Sequence, residues 1–247
     1  MIRAFTADLH VHSLLSPCAS VEMTPRNIVR HAAEAGVDIL AITDHNAADN
    51  VSAAMQAAAG SGITILPGME VETKEEIHVL ALFDKLPALQ TWQHYVDQRR
   101  SGLKNDPDRF GAQFIVDAED NLLAEKPEML LAPLNGSITE ISRRIHALGG
   151  LCIASHVDRP AYSILSQLGF IPDDVELDAV ELSRRTTAKE AAVRFPAIAG
   201  RPVIRSSDAH TIGDFLTGPK TILHIKEPTL AEILLALNAR EKRRVLV

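Results

Sequence analysis

Histidines stand at the ends of several predicted strands in this sequence. His10 and His12 are separated by one residue at the end of the first of these strands, so their side chains point to the same face and can converge on one ion. Neutral imidazole and carboxylate are suitable ligands for Zn, Fe or Mn. A single pair of this kind can arise by chance, so a metal site has to be argued from several positions together.

More residues of ligand type lie near the ends of later strands. They are Asp44, His45, Glu70, His78, His156, Asp208 and His210. Nearly all lie at carboxyl ends, whereas His78 opens its strand. The carboxyl ends of a parallel barrel form one rim, where active sites are built, so these side chains should meet in one cup. Histidines with only a structural role have no reason to select one rim.

Short apolar runs alternate with helical patterns, which is typical of βα units around a parallel sheet. The predicted strands are Ala4–His10, Asp38–Thr43, Thr64–Val71, Ile77–Phe83, Leu151–Ser155, Ala179–Leu182, Pro202–Arg205 and Thr221–His224. The predicted helices include Pro25–Ala35, Gln90–Arg100, Ser137–Leu148 and Thr229–Arg240. This pattern predicts an α/β barrel, with residues 1–247 as a single domain. The polar segment 86–133 breaks the rhythm and is interpreted as an insertion, with a hairpin over Gln113–Leu123, that could close as a lid.

The composition of the sequence disfavours some classes of function. The net charge is −7 and the pI about 5.8, which disfavours duplex nucleic acid as a partner, because such binding usually rests on a basic surface. A small phosphorylated molecule is therefore the expected partner. No apolar run is long enough for a membrane span and no signal-peptide core is visible, so a cytoplasmic protein without membrane association is expected. The two cysteines do not indicate a disulfide framework.

Five short segments resemble, in the same order, the motifs of the polymerase and histidinol phosphatase (PHP) family with its bridging glutamate. They are Asp8–Ser13, Thr43–Asn46, Gly68–Glu70, Ala154–His156 and Ser207–His210. The resemblance implies a distorted TIM-like barrel of seven β/α units. It also implies a rim with two or three divalent metal ions, Zn, Fe or Mn, that serve phosphoester hydrolysis.

The resemblance assigns metal ligands residue by residue. For the first ion it implies His10, His12, Glu70 and Asp208, and for the second Glu70 as a bridge with His78 and His156. A third ion would be held by His45, His210 and Cys18. Cys18 departs from the family pattern, which often has histidine or aspartate there. Asp8 and Asp44 closely precede ligands and could orient their imidazoles.

Close cations can generate hydroxide near neutral pH and clamp the oxygens of a phosphoryl group. Glu70 and Asp208 would act in catalysis through the metals. Arg159, in the loop after His156, would act in catalysis and substrate binding by stabilising phosphate charge, and Arg184 and Arg185 could share that binding.

Two other functions remain open. An amide or cyclic-ester hydrolase of the wider metallohydrolase group would use the same metals on a carbonyl and would need no arginine clamp. A proofreading module of a polymerase is disfavoured by the acidic charge.

Overall fold

Nine strands form one mixed sheet that curls nearly into a barrel in the computed structural model, which describes residues 1–247. The strands are β1 (Arg3–Val11), β2 (Ile39–Ile42), β3 (Thr64–Glu72), β4 (His78–Leu82), β5 (Phe114–Val116), β6 (Leu122–Glu125), β7 (Leu151–Ala154), β8 (Ala179–Leu182), β9 (Val203–Arg205), β10 (Thr221–Ile225) and β11 (Arg244–Leu246). Their order is β11-β10-β1-β2-β3-β4-β7-β8-β9, and β5 and β6 pair separately. The predicted α/β barrel-like fold is confirmed.

Nine α-helices connect or flank these strands. They are α1 (Pro25–Glu34), α2 (Val51–Ala57), α3 (Leu86–Asp97), α4 (Pro107–Phe110), α5 (Ile138–Ala147), α6 (Ile164–Leu168), α7 (Ala188–Arg194), α8 (Ile212–Thr217) and α9 (Leu230–Leu237), with a 3-10 turn at Pro196–Ile198. None of them has the length and apolar character needed to cross a membrane. α1 begins where the Thr24 side chain accepts a hydrogen bond from the Asn27 backbone N–H, one of the free donors at a helix start.

The sheet buries apolar side chains on both faces. In β2, Ile39 and Ala41 belong to one hydrophobic cluster, whereas Leu40 and Ile42 belong to the other. Alternate residues of a strand point to opposite faces, so a strand that is apolar at every position is covered on both sides. The backbone of the barrel is therefore held firmly beneath the rim.

The direction of β4 differs from the parallel arrangement expected from the sequence. β4 runs antiparallel to both β3 and β7, with His78 opposite Glu72. Its amino end consequently lies at the rim formed by the carboxyl ends of its neighbours. This reversal explains why His78, at the start of its strand, lies next to ligands that stand at the ends of theirs.

A seam remains where β9 approaches β10 and β1. The Arg205 backbone N–H donates to Thr221 Oγ1 at 2.8 Å, and the Thr221 hydroxyl donates back to the Arg205 carbonyl at 2.8 Å. Next to it, the His12 N–H donates to the Ala209 carbonyl at 3.0 Å. These contacts bring the loop after β9 onto the end of β1 and nearly close the barrel.

The segment 86–133 contains α3, α4 and the β5–β6 hairpin, which turns within the predicted hairpin region. It packs against loops of the rim: the Asn46 amide donates to the carbonyls of Leu130 and Ala132, and the Asn50 amide donates to Phe114. Gly111 has φ +98°, and a Cβ there would collide with the carbonyl of Pro17. The insertion therefore lies beside the cup, and its service as a lid stays a prediction.

Candidate active site

The histidines and carboxylates predicted as metal ligands meet at one rim of the barrel. Three groups have ligand atoms within 4.8 Å of one another: His10, His12 and Asp208; His45, Glu70 and His78; and His12, His45 and His210. His156 lies beside them, because its Nε2 is 3.4 Å from Glu70 Oε1. Only Cys18, among the predicted ligands, belongs to none of these groups and has no such contact.

Glu70 lies at the centre and turns its two oxygens to different histidines. Its Oε2 is 3.3 Å from His10 Nε2 and 3.4 Å from His12 Nε2. Its Oε1 is 3.2 Å from His78 Nδ1 and 3.4 Å from His156 Nε2. A carboxylate that bridges two cations would have this arrangement.

Several buried atoms of the cup lack a hydrogen-bond partner. Glu70 Oε1, His78 Nδ1 and His156 Nδ1 are among them. A buried polar atom left without a partner costs about 1–3 kcal/mol, and a cation between Glu70 Oε1 and His78 Nδ1 would remove this cost. The residues present therefore fit a metal centre.

The charge states also suit cation binding. Burial alone would raise the pKa of Glu70, but the neighbouring His10 and His78 outweigh it and hold that pKa well below its usual range. Loss of hydration, followed by repulsion from His12, lowers the pKa of His210 to about 4. Burial acts to lower the pKa of His10, but Glu70 and the other nearby carboxylates outweigh it and raise that pKa well above its usual range, so the cup attracts positive charge and a metal ion would take the place of the proton.

Glu181 is a functional candidate that the sequence interpretation missed. It is buried near the end of β8, where its Oε2 accepts a hydrogen bond from His10 Nδ1 at 2.9 Å and another from the His156 backbone N–H at 3.2 Å. The sequence did contain one indication, a single glutamate inside an apolar strand. A carboxylate that is buried in this way requires a charged or hydrogen-bonding partner.

We expect Glu181→Gln to lower metal affinity or kcat about tenfold, because loss of a partner behind a metal-bound histidine typically costs ten- to a hundredfold. Glutamine keeps the volume but removes the charge that favours the proton on His10 Nδ1. Isothermal titration with Zn²⁺ and steady-state kinetics measure the two quantities. Glu176→Gln, an exposed site, serves as the matched control. Wild-type values for Glu181→Gln would contradict the positioning role.

The two aspartates before the ligands play different parts. Asp44 accepts a hydrogen bond from the Ser16 hydroxyl at 2.7 Å, and the Ser16 oxygen lies 3.1 Å from His12 Nδ1. The Ser16 hydroxyl thus links the Asp44 carboxylate to the His12 imidazole. Asp8 instead lies 2.9 Å from Lys220 Nζ and accepts the Ser207 N–H at 2.9 Å, so it contacts no imidazole.

The three predicted substrate arginines have different surroundings. Arg159 Nη2 lies 2.5 Å from Asp208 Oδ2, which places its guanidinium on a predicted ligand. Arg184 Nη1 forms an ion pair with Asp214 at 2.7 Å, and its Nη2 donates to the carbonyls of Asp214 and Ser207, so these donors already have protein partners. The Arg185 side chain makes no hydrogen bond or ion pair and lines a cavity next to Arg159.

The backbone is strained around the cup. Asn46, His156 and Asp208 have φ values of 49°, 30° and 50°, a left-handed region that disfavours residues with a Cβ. Tyr162, with φ 57°, stacks its half-exposed ring on His78 with centroids 4.8 Å apart. Strain of this kind is kept where surrounding contacts enforce it, and it often accompanies function.

Cys18 is the predicted ligand of the third ion that still needs to be considered. His12 belongs to two of the three groups, and its Nδ1 faces Ser16, so one imidazole nitrogen cannot serve both ions. If His12 serves the first ion, His45 and His210 need another donor. Part of Cys18 is exposed, and loss of hydration around the thiol together with Glu70 raises its pKa to about 12. A cation would act in the opposite direction and favour the thiolate.

We expect Cys18→Ala to remove one metal equivalent, and Cys18→Asp to restore it, because carboxylate is an alternative ligand. Elemental analysis of purified protein measures the metal content. Cys152→Ala is the control, since Cys152 is buried in the core. An unchanged metal content in Cys18→Ala would assign the third group to histidines alone.

Comparison with known proteins agrees with this geometry. The family model of the PHP domain matches residues 8–168, which is more than half of the chain. The chain belongs to the PHP family.

Two curated relatives of this PHP-family protein match its sequence in part. A 5'-3' exoribonuclease (Rnm) of Salmonella typhimurium is 36% identical over 80 residues, and a 3',5'-nucleoside bisphosphate phosphatase of Chromobacterium violaceum is 36% identical over 78 residues. Each match covers 30% of this chain and 26% of the relative, so the shared region is about a quarter of those proteins.

The fold extends further than the sequence match. A structure of endonuclease Q, in complex with a 27-mer duplex that carries an abasic lesion, superposes with a TM-score of 0.73 at 19% identity. The similarity covers 98% of this chain and 58% of that one.

The expected partner needs correction. A small phosphorylated molecule was expected and duplex nucleic acid was disfavoured, but an exoribonuclease is among the relatives and a structure with the same fold holds a DNA duplex. The inference failed because net charge averages over the whole surface. Phosphates can be bound by a few local arginines and metal ions on an acidic protein.

Proposed function

We propose that this PHP-family enzyme is a nuclease that hydrolyses phosphodiester bonds of nucleic acid with two or three divalent cations, Zn, Fe or Mn. The observation that carries the proposal is Glu70, whose two oxygens face different histidines: Oε2 lies near His10, His12 and His45, and Oε1 lies near His78 and His156. Two close cations suit an in-line displacement at phosphorus, because they stabilise the attacking and leaving oxygens together. The exoribonuclease relative supports nucleic acid as the substrate class.

The geometry supports the ligand sets proposed for the first two ions, whereas Cys18 enters the third set from the family pattern alone. The first ion would have His10, His12, Glu70 and Asp208, and the second Glu70, His78 and His156. The third would have His45, His210 and Cys18. When bound, the ions would lower the pKa of water to near neutrality and polarise the phosphoryl oxygens.

The protein's own residues would orient the reaction. Asp208 turns Oδ1 toward His10 and His12, at 3.4 Å from each Nε2, and Oδ2 toward Arg159. It would thereby hold the guanidinium beside the first ion. Arg159 would form two parallel hydrogen bonds to phosphate oxygens, and Glu181 would keep the His10 imidazole in the required tautomer. The insertion 86–133, which contacts Asn46 and Asn50 after β2, would cover that side of the cup as a lid.

The proposal is tested with purified enzyme, stripped of metal and reloaded separately with Zn, Fe or Mn. Radiolabelled single-stranded RNA, single-stranded DNA and an abasic duplex are incubated with each form and the fragments are sized. Cleavage that requires metal and is abolished by EDTA is the expected result. A panel of amides and lactones runs in parallel. Metal-dependent hydrolysis of that panel without cleavage of any oligonucleotide would replace the nuclease by the carbonyl hydrolase.

A further inference from the structure

A cavity of about 640 Å³ opens beside the rim, between the loop after β7, α6 and the end of α7. The residues that give it chemical character are Arg159, Arg185, Arg194, Asp158, Ser166 and Phe195. Its volume is in the range of sites that bind small ligands or parts of larger ones. Of the residues that line it, only Arg159 figures in the proposed reaction.

The cavity concentrates positive charge on an acidic protein. Three arginines line it, while the whole chain carries a net charge of −7. The guanidiniums of Arg185 and Arg194 make no hydrogen bond or ion pair with the protein, and Arg194 Cζ lies 5.3 Å from the centre of the Phe195 ring. A cation–π contact of this kind keeps a guanidinium at the cavity wall without using its N–H donors.

The one acidic residue of the lining does not neutralise these arginines directly. Asp158 accepts hydrogen bonds from the Ser183 backbone N–H and hydroxyl, both at 2.7 Å. Its charge is thus directed to the turn after β8, and the guanidinium donors remain available for an anion.

The cavity is linked to the metal cup through Arg159. Val157, Asp158 and Arg159 line the cavity and directly follow His156, and Arg159 reaches back to Asp208. A chain of phosphates that places one phosphate at the cup would therefore meet Arg185 and Arg194 further along. Planar guanidiniums match the geometry of phosphate oxygens, and phosphate contacts supply much of the affinity for nucleic acid.

We propose that this cavity binds the sugar-phosphate backbone of the substrate strand, with Arg185 and Arg194 on phosphates next to the one that is cleaved. The inference rests on the proposed nuclease function and adds the path of the strand. It requires that substrates longer than a dinucleotide bind more tightly, because only they reach both arginines.

The experiment compares wild type with Arg185→Ala, Arg194→Ala and the double variant on a dinucleotide and on a 12-mer of the same base. We expect the ratio of kcat/KM for the 12-mer to that for the dinucleotide to fall about tenfold for each arginine removed. The slope of log affinity against log salt for the single strand should fall by about 0.7 per lost phosphate contact. Arg26→Ala is the matched control, an exposed arginine of α1 that pairs with no protein group and lies elsewhere.

A second measurement does not depend on turnover. Fluorescence anisotropy of a labelled phosphorothioate 12-mer, whose linkages resist hydrolysis, reports strand binding to the metal-loaded protein, and thermal melts confirm folding of each variant. Binding that weakens in the arginine variants supports the cavity even if wild type cleaves no nucleic acid, an outcome that would reject only the nuclease. An unchanged length ratio and salt slope, or equal losses on both substrates, would overturn the strand path while leaving the nuclease intact.

Discussion

Glu70→Gln is expected to lower kcat by more than about a hundredfold, the upper loss typical of a residue that only supports a ligand. The amide keeps the volume of the side chain but cannot offer two charged oxygens to two ions. Metal content should fall by at least one equivalent, because Oε1 and Oε2 face different sets of histidines. His10→Ala and Asp208→Ala should also abolish turnover and lower bound metal, since each removes a ligand of the first ion.

The control for this change lies in the same hairpin. Glu76 is exposed in the turn between β3 and β4, so Glu76→Gln tests the substitution without touching the cup. Elemental analysis and single-turnover cleavage of a labelled oligonucleotide measure both effects. Glu70→Gln with full metal content and full activity would reject the bridging assignment and the metal centre built on it.

Arg159→Ala is expected to lower kcat/KM by on the order of a hundredfold with metal content unchanged, because one charge-stabilising contact to the transition state is lost. Arg159→Lys should recover only part of this, since lysine keeps the charge but not the paired donors. Steady-state kinetics on a short oligonucleotide measures the effect.

A purely structural ion pair with Asp208 would give a different result. Because the Arg159 side chain is 39% exposed, losing such a pair would cost little stability. Arg26→Ala again controls for the loss of a positive charge. If Arg159→Ala keeps wild-type efficiency, or loses metal in proportion to activity, the guanidinium serves Asp208 and not the substrate.

Most barrel strands were predictable because a strand covered on both faces is a continuous apolar run. β8 has the predicted bounds, Ala179–Leu182, and most other strands differ by a residue or two at their ends. Periodicity carries no direction, so the reversal of β4 was not foreseen. β11 was missed because it begins at Arg244, inside a basic stretch that directly follows the predicted helix Thr229–Arg240, and contains few apolar residues. In the structure Arg243 is buried and bonds to Glu232, which draws this segment onto α9.

The metal ligands of the cup could be predicted where they lie at the ends of strands. Glu181 was missed because one carboxylate inside a short apolar run resembles a strand end on the surface, and its partner His10 is distant in sequence. The ion pair between Arg184 and Asp214 could not be predicted either, because the spacing of residues in a loop does not reveal which carboxylate will face an arginine. Pairings between remote segments depend on the packed barrel and leave no local pattern.

The position of the cup at the seam of the barrel gives a bound ion a second consequence. His10 and His12 come from the first strand, whereas Asp208 comes from the loop after β9, near the other end of the chain. An ion held by all three would act as a removable cross-link between the chain's two ends, comparable to a disulfide that closes a very long loop. Removal of the ion by a chelator would then release the loop after β9 from β1. Backbone amide hydrogen exchange would accelerate first along β9 and β10, while the amides of β2 and β3, far from the seam, would keep their protection.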